Sequence, residues 1–336
     1  MDESQRMDEQ GQSAVTVGPR VGVLMMAYGG PNSLEDIPAY LLDVRGGRPY
    51  SDELLAELTE RYRAIGGRSQ IVELTQAQAA GVERELNDAA AEAAGLTFRT
   101  YVGMRHWHPY IREVVPDILA DGVDTLVAIV MAPHYSRMSV GAYLEQLDKA
   151  LQENNASVPV LSIESWKTQP AFIAAVAGRI RDALERFPEE ERDDVALVFT
   201  AHSLPERILQ WGDPYPEELR ISVETVVAEV KPRRWRFAYQ SAGATADPWL
   251  GPALEETLEA LAGEGVRNVL VVPIGFVCDH VEVLYDIDIE ARELAKSLGM
   301  RLERTESLND HPLLCRAVAD AVRERLGQPV QAAATE

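Results

Sequence analysis

From Val21 onward the chain alternates between short, almost unbroken apolar runs and longer segments whose apolar residues recur every third or fourth position. The clearest runs are Val21–Ala27, Thr97–Val102, Thr125–Met131, Val158–Ile163, Val195–Thr200, Arg236–Gln240 and Asn268–Pro273. Runs this short, apolar on both faces and closed by Gly, Pro or polar clusters, read as fully buried strands. Between them Ser51–Tyr62, Ala77–Ala94, Ala171–Phe187 and Pro252–Ala262 carry the helical period. Buried strands alternating with helices predict an α/β protein with parallel sheets covered on both faces. A weak echo adds a second prediction. Leu126–Leu151 and Leu270–Leu294 each run strand, polar loop, helix, the helices starting near Val140 and Val281; Val21–Gly30 and Val195–Ser203 pair in the same way. Two similar doubly wound, Rossmann-like domains are expected, with a cleft where the strands' carboxyl ends face each other.

Composition narrows the function. The 336 residues are ample for two domains, and 32 Lys+Arg against 54 Asp+Glu leave a formal charge of −22. Such a field repels nucleic acid and anionic lipid and attracts cations, so no nucleic-acid partner is expected. The longest apolar runs, Leu126–Ala132 and Val269–Cys278, fall far short of the ~18 residues a spanning helix needs. The polar N-terminus has no leader-like pattern, so residues 1–19 are expected to be a disordered tail and the protein to be cytoplasmic. Two cysteines, Cys278 and Cys315, are too few for a disulfide framework or a four-cysteine metal site. There is no Gly-Lys-Ser/Thr phosphate loop and no Gly-x-Ser-x-Gly elbow.

Two features point to chemistry. His202 follows the run Val195–Phe199 directly, which puts an imidazole at a strand's carboxyl end; a capped loop histidine would look the same from position alone. Glu282, Asp286 and Glu290 stand four apart, and on an α-helix they share one face roughly 6 Å from one another. Such an oxygen-rich row suits a hydrated divalent cation, although a chain this acidic will carry one such triple by chance. Of the other histidines, His134 ends a strand, His106 and His108 precede Pro109, His280 opens a helix and His311 looks structural.

Several segments taken together resemble the ferrochelatase family, most closely its coproporphyrin-type bacterial members. They are Met26-Ala-Tyr-Gly-Gly-Pro31, Leu58-Thr-Glu-Arg-Tyr62 with Ile65-Gly-Gly67, and Ala132-Pro-His-Tyr-Ser136. Ala201-His-Ser-Leu-Pro-Glu206, Gly212-Asp-Pro-Tyr-Pro216, Tyr239-Gln-Ser241, Asp247-Pro-Trp-Leu-Gly-Pro252 and Pro273–Asp286 follow in the family's order. The resemblance implies insertion of ferrous iron into a porphyrin, for which coproporphyrin III is expected, giving coproheme in haem biosynthesis. It implies His202 and Glu282 as the catalytic and metal-handling pair, with Asp286 and Glu290 for a second, hydrated cation such as Mg2+. It further implies Tyr28, Arg45, Arg61, Ser69 and Tyr143 as residues that line the porphyrin pocket or bind propionates. The cysteines do not fall in the spacing of cluster-bearing relatives, so no iron–sulfur cluster is expected. The segment Ser51–Arg63 is charged where membrane-associated relatives carry an apolar lip. Ala242 and Gly30 stand where relatives more often carry a polar residue and a threonine, so local cleft contacts are expected to differ there.

The expected boundaries are residues 20–165 for the first domain and 166–311 for the second, with a helix over 312–328 packing back on the first. A monomer is expected. Two other readings stay open at this level: a protoporphyrin IX enzyme or a cobalt or nickel chelatase of the same superfamily, and a non-catalytic tetrapyrrole carrier.

Overall fold

The computed structural model describes residues 19–243 and 247–328, so the expected tail, apart from Pro19, lies outside the described residues. Eight strands form two four-stranded sheets. β1 (Arg20–Ala27), β2 (Thr97–Met104), β3 (Thr125–Val130) and β4 (Val160–Ile163) order as β2-β1-β3-β4. β5 (Ala196–His202), β6 (Trp235–Gln240), β7 (Asn268–Val272) and β8 (Arg301–Arg304) order as β6-β5-β7-β8. Every pairing is parallel, and each sheet's first strand is central. The strands of the sequence echo hold equivalent places, β1 with β5 and β3 with β7.

Side chains alternate across each strand. Val21, Val23, Met25 and Ala27 of β1 enter a core shared by both sheets, along with Leu197 and Phe199 of β5 and Leu270 and Val272 of β7. Leu24 and Met26 face the opposite way, onto the helices Ile111–Ala120 and Ala142–Glu153. Ala196, Val198, Val269 and Val271 cover the outer face of the second sheet. Each fully buried Val, Leu, Ile or Met side chain contributes about 1.5–3 kcal/mol of transfer free energy. The shared core is completed by Leu314, Val318 and Val322 of the helix Pro312–Arg325, which packs on the helices Ile71–Leu86 and Pro170–Leu184.

Three elements depart from expectation. The helix expected over Ala77–Ala94 breaks at Asn87-Asp88, because the Asp88 carboxylate accepts from the Ala90 and Ala91 N–H groups and starts a new helix there. β8 carries the polar sequence Arg-Leu-Glu-Arg, an edge strand whose exposed positions hide it from an apolar-run search. Both helices of the echo begin with a wide turn, at Arg137–Gly141 and at Asp286–Ala291, where the N–H groups of Gly141 and Glu290 reach back five residues to Ser136 and Tyr285. Such turns concentrate at functional sites.

Candidate active site

Residues at or just past the carboxyl ends of β1, β2, β5 and β6 build the site. His202, the last residue of β5, lies 3.1 Å from Glu282 Oε2 through its Nδ1. The carboxylate sits off the line of the ring N–H, so the attraction is electrostatic rather than an aligned hydrogen bond. Both side chains are about a third exposed, 33% and 32%, on the open side of the cleft. Burial alone would lower the His202 pKa, but the charges of Glu282 and Asp286 overcome it and raise it. Burial would raise Glu282, yet His202 and His280 together hold its carboxyl well below the usual range. The resting pair is therefore a carboxylate facing an imidazole whose basicity it raises.

The pair is held from behind. Glu282 lies on the turn Val281–Leu284 after β7, and its backbone carbonyl accepts from Gln240 Nε2 at 2.7 Å, at the end of β6. His280 Nδ1 lies 3.0 Å from the Cys278 carbonyl, which turns Nε2 towards Glu282, 3.6 Å away. Ser241 adopts a left-handed backbone (φ +59°), a strained conformation for a non-glycine residue, and donates its hydroxyl to Asp286.

The ladder stays on one face despite the wide turn. Arg61, from the helix Asp52–Ala64, meets Asp286 at 3.2 Å and Glu290 at 3.8 Å, and its guanidinium lies 5.0 Å from the centre of the Tyr285 ring. Asp286 is almost buried; desolvation, with added repulsion from Glu282 and Glu290, pushes its pKa up to about 6 in spite of Ser241 and Arg61. Arg61 thus serves the acidic row as its counter-ion. Among the described residues no three His, Cys, Asp or Glu side chains converge as a metal cage.

Across from the pair, Tyr28 just past β1 is 39% exposed and its ring lies tilted 4.7 Å from that of His106, which pairs with Asp43 at 2.9 Å. Burial of the hydroxyl, with the Glu282 charge next in size, raises the Tyr28 pKa to about 12, so the phenol stays protonated. Tyr143 is buried beneath Arg105, whose guanidinium is 5.3 Å from its ring centre. Ser69 is buried, and a Cβ added at Gly30 would stand 2.5 Å from its Cβ and Oγ, which accounts for the glycine there. Arg45 ends the helix Ile37–Val44 and donates Nε to the Pro49 carbonyl at 3.2 Å. Sequence reasoning missed Arg105 and Trp107, which follow β2 as His202 follows β5. Arg105 Nε and Trp107 Nε1 are buried N–H groups without a protein acceptor. Position after a strand's carboxyl end was the one sequence signal they gave, too common by itself to single them out.

Two like-ordered parallel sheets that bring a histidine–glutamate pair near Tyr28 define a chelatase fold. The chain belongs to the ferrochelatase family, which it matches over residues 20–326. The members of this family are lyases whose substrates are ferrous iron and a porphyrin. The ferrochelatase of Herpetosiphon aurantiacus is 45% identical over 293 residues, 87% of this chain and 95% of that protein. The coproporphyrin III ferrochelatase of Bacillus subtilis is 37% identical over 310 residues, 92% of this chain and 99% of that protein. Among solved structures, SirB from Bacillus subtilis with Fe3+ superposes with a TM-score of 0.56 at 12% identity, covering 91% of this chain and 95% of that one. That likeness concerns the fold alone.

Proposed function

We propose that this enzyme inserts ferrous iron into coproporphyrin III to give coproheme, with His202 and Glu282 as the pair that meets the ion. The observation that carries the reading is the His202–Glu282 pair at 3.1 Å, set across from Tyr28 and Arg105 in one cleft. A planar porphyrin points its nitrogen lone pairs at its own centre, so saddling the ring, at a strain of order 1–5 kcal/mol, exposes them to the ion. Contacts remote from the ring centre supply that strain. Arg45 and Arg105 are suited to hold carboxylates, their guanidinium groups in two-pronged fashion. Each ion inserted releases two pyrrole protons. His202, once neutral, is the stronger base of the pair, and Glu282 stays anionic to stabilise the imidazolium and attract the cation.

A tetra-carboxylate substrate is favoured over protoporphyrin IX by the helix Asp52–Ala64 beside the cleft, which is polar and buries only Tyr62. Asp286 and Glu290 are assigned to the approach of a hydrated ion, which has to displace Arg61 to reach them. A permanently held Mg2+ does not fit this row while Arg61 occupies it. Cys278 and Cys315, both buried, could offer a cluster only two of the four thiolates it takes. Two domains spanning 20–165 and 166–311, and a cytoplasmic monomer, complete the reading. No helix among the described residues is long and apolar enough to cross a membrane, and a charge of −22 makes copies repel.

The decisive assay is anaerobic. Ferrous iron is supplied with coproporphyrin III or with protoporphyrin IX, and loss of free-porphyrin fluorescence is followed. Fast metallation of coproporphyrin alone is expected. Comparable rates on protoporphyrin would reassign the substrate, and tight binding without metallation above the uncatalysed rate would leave a carrier.

A further inference from the structure

Two signature segments take no direct part in the chemistry above, the loop Ala132–Ser136 after β3 and the stretch Gly212–Pro216, and the segment Ser165–Lys167 after β4 lies beside them. The fold joins them into one polar strut between the two sheets. From the first sheet's side, Ser136 Oγ donates to Asp213 Oδ2 at 3.0 Å, and the Arg137 N–H donates to the same oxygen at 2.8 Å. The Tyr135 N–H donates to Glu218 at 3.1 Å, and Ser165 and Lys167 also donate to Glu218, Lys167 at 2.5 Å. His134, 2% exposed, lies 2.9 Å from Ser222 Oγ, whose own hydroxyl donates to the Lys167 carbonyl. His134 is therefore the donor through Nε2, a neutral imidazole used as structure.

The strut ends on the active site. The other oxygen of Asp213, Oδ1, accepts from the Tyr215 N–H at 3.0 Å and caps the helix Tyr215–Val230. Tyr215 is buried, and its hydroxyl donates at 3.0 Å to the main-chain carbonyl of His202. One carboxylate thus grips the first half with one oxygen and, with the other, the residue that holds His202. We infer that Tyr215 is a positioning residue for His202, and that Asp213 makes the setting of the imidazole depend on the seating of the first half's loop Ser136-Arg137. Domain docking and assembly of the histidine–glutamate pair become a single event. This rests on His202 acting in metallation as proposed above.

Two conservative substitutions separate positioning from packing. Tyr215→Phe removes only the hydroxyl. Asp213→Asn keeps an oxygen for the Tyr215 N–H but turns an amide NH2 towards Ser136 and Arg137, cutting the strut away from His202. Tyr215→Phe is expected to lower kcat about tenfold, with the KM for coproporphyrin within about twofold of wild type, as small misplacements of reacting groups cost rate rather than affinity. Asp213→Asn is expected to lower kcat in the same direction by less, and the double variant to match Tyr215→Phe alone. A crystal structure of Tyr215→Phe should show His202 Nδ1 withdrawn from Glu282. An unchanged kcat, or kcat and KM failing together with a collapsed melting temperature, overturns the inference. If wild-type protein does not metallate porphyrin at all, the functional reading fails, and the crystallographic position of His202 in Tyr215→Phe still decides the strut.

Discussion

The two sheets share strand order, direction and even the wide helical turn after the third strand, yet their carboxyl edges carry opposite chemistry. At the end of β1 stands Tyr28, a protonated phenol; at the equivalent end of β5 stands His202, paired with a carboxylate. After β2 come Arg105 and Trp107 with unspent N–H groups; after β6 come Gln240 and Ser241, which support Glu282 and Asp286. The turn after β3 locks into the strut, whereas the turn after β7 presents the acidic row. On the proposed reading, one scaffold used twice separates two tasks, gripping an anionic planar molecule on one side and handling a cation and protons on the other. Catalysis by differential binding needs both, since grip supplies distortion and the opposite wall meets the ion.

That division makes substitutions on the two sides distinguishable. The largest effect is expected in the second half: His202→Ala should slow iron insertion by about a hundredfold or more while leaving coproporphyrin affinity intact, as measured by fluorescence titration beside turnover. Loss of porphyrin binding in that variant would show the division to be false. In the first half, Arg105→Met should raise the KM for coproporphyrin by about tenfold and change kcat much less, because it removes a charge-assisted donor from a carboxylate. A kcat effect larger than the KM effect would move Arg105 to the other side of the comparison.

Smaller shifts sharpen it. The raised pKa of Asp286 means that ionising this group opposes folding. The penalty is absent only where even the unfolded chain is protonated, below about pH 3, grows as pH rises to about 6 and is constant above. Asp286→Asn should therefore stabilise the protein at pH 7.5, by on the order of 1–3 kcal/mol, and the gain should shrink several-fold by about pH 4 in thermal melts. No gain at either pH would mean that Arg61 and Ser241 fully offset the buried charge. Finally, the His202 imidazole should titrate above its ordinary value in wild type and below it in Glu282→Gln, because burial, the largest influence, is then opposed only by the more remote Asp286. NMR of labelled histidine reads this directly, and identical titrations in the two proteins would deny the pair its coupling.

The sheets were legible because the inner strands β1, β3, β5 and β7 are apolar and buried on both faces, a pattern that parallel strands require, and the edge strands β2, β4 and β6 keep enough apolar residues to show as runs. β8 was not, since an edge strand keeps polar side chains on its open face. His202 and the Glu282 row were visible from strand position and spacing. Arg61 was visible only as a pocket arginine, and its place against Asp286, across the cleft, is a contact between elements more than 200 residues apart. Arg105 and Trp107 went unseen because a lone Arg or Trp after a strand is common, and only burial without an acceptor gives them meaning. Tyr215 acts through a main-chain carbonyl, and nothing in side-chain spacing reports that.

The helix Pro312–Arg325 has a bearing on how the molecule is made. It is the last described element to leave the ribosome, and it lies between Ile71–Leu86 of the first half and Pro170–Leu184 at the start of the second. Until it emerges, the apolar faces of Ile71–Leu86 and Pro170–Leu184 that it covers lie open. The first-made half therefore waits, sticky and unfinished, through the whole synthesis of its partner. Translation order sets a window of vulnerability that closes only when Leu314 and Val318 arrive.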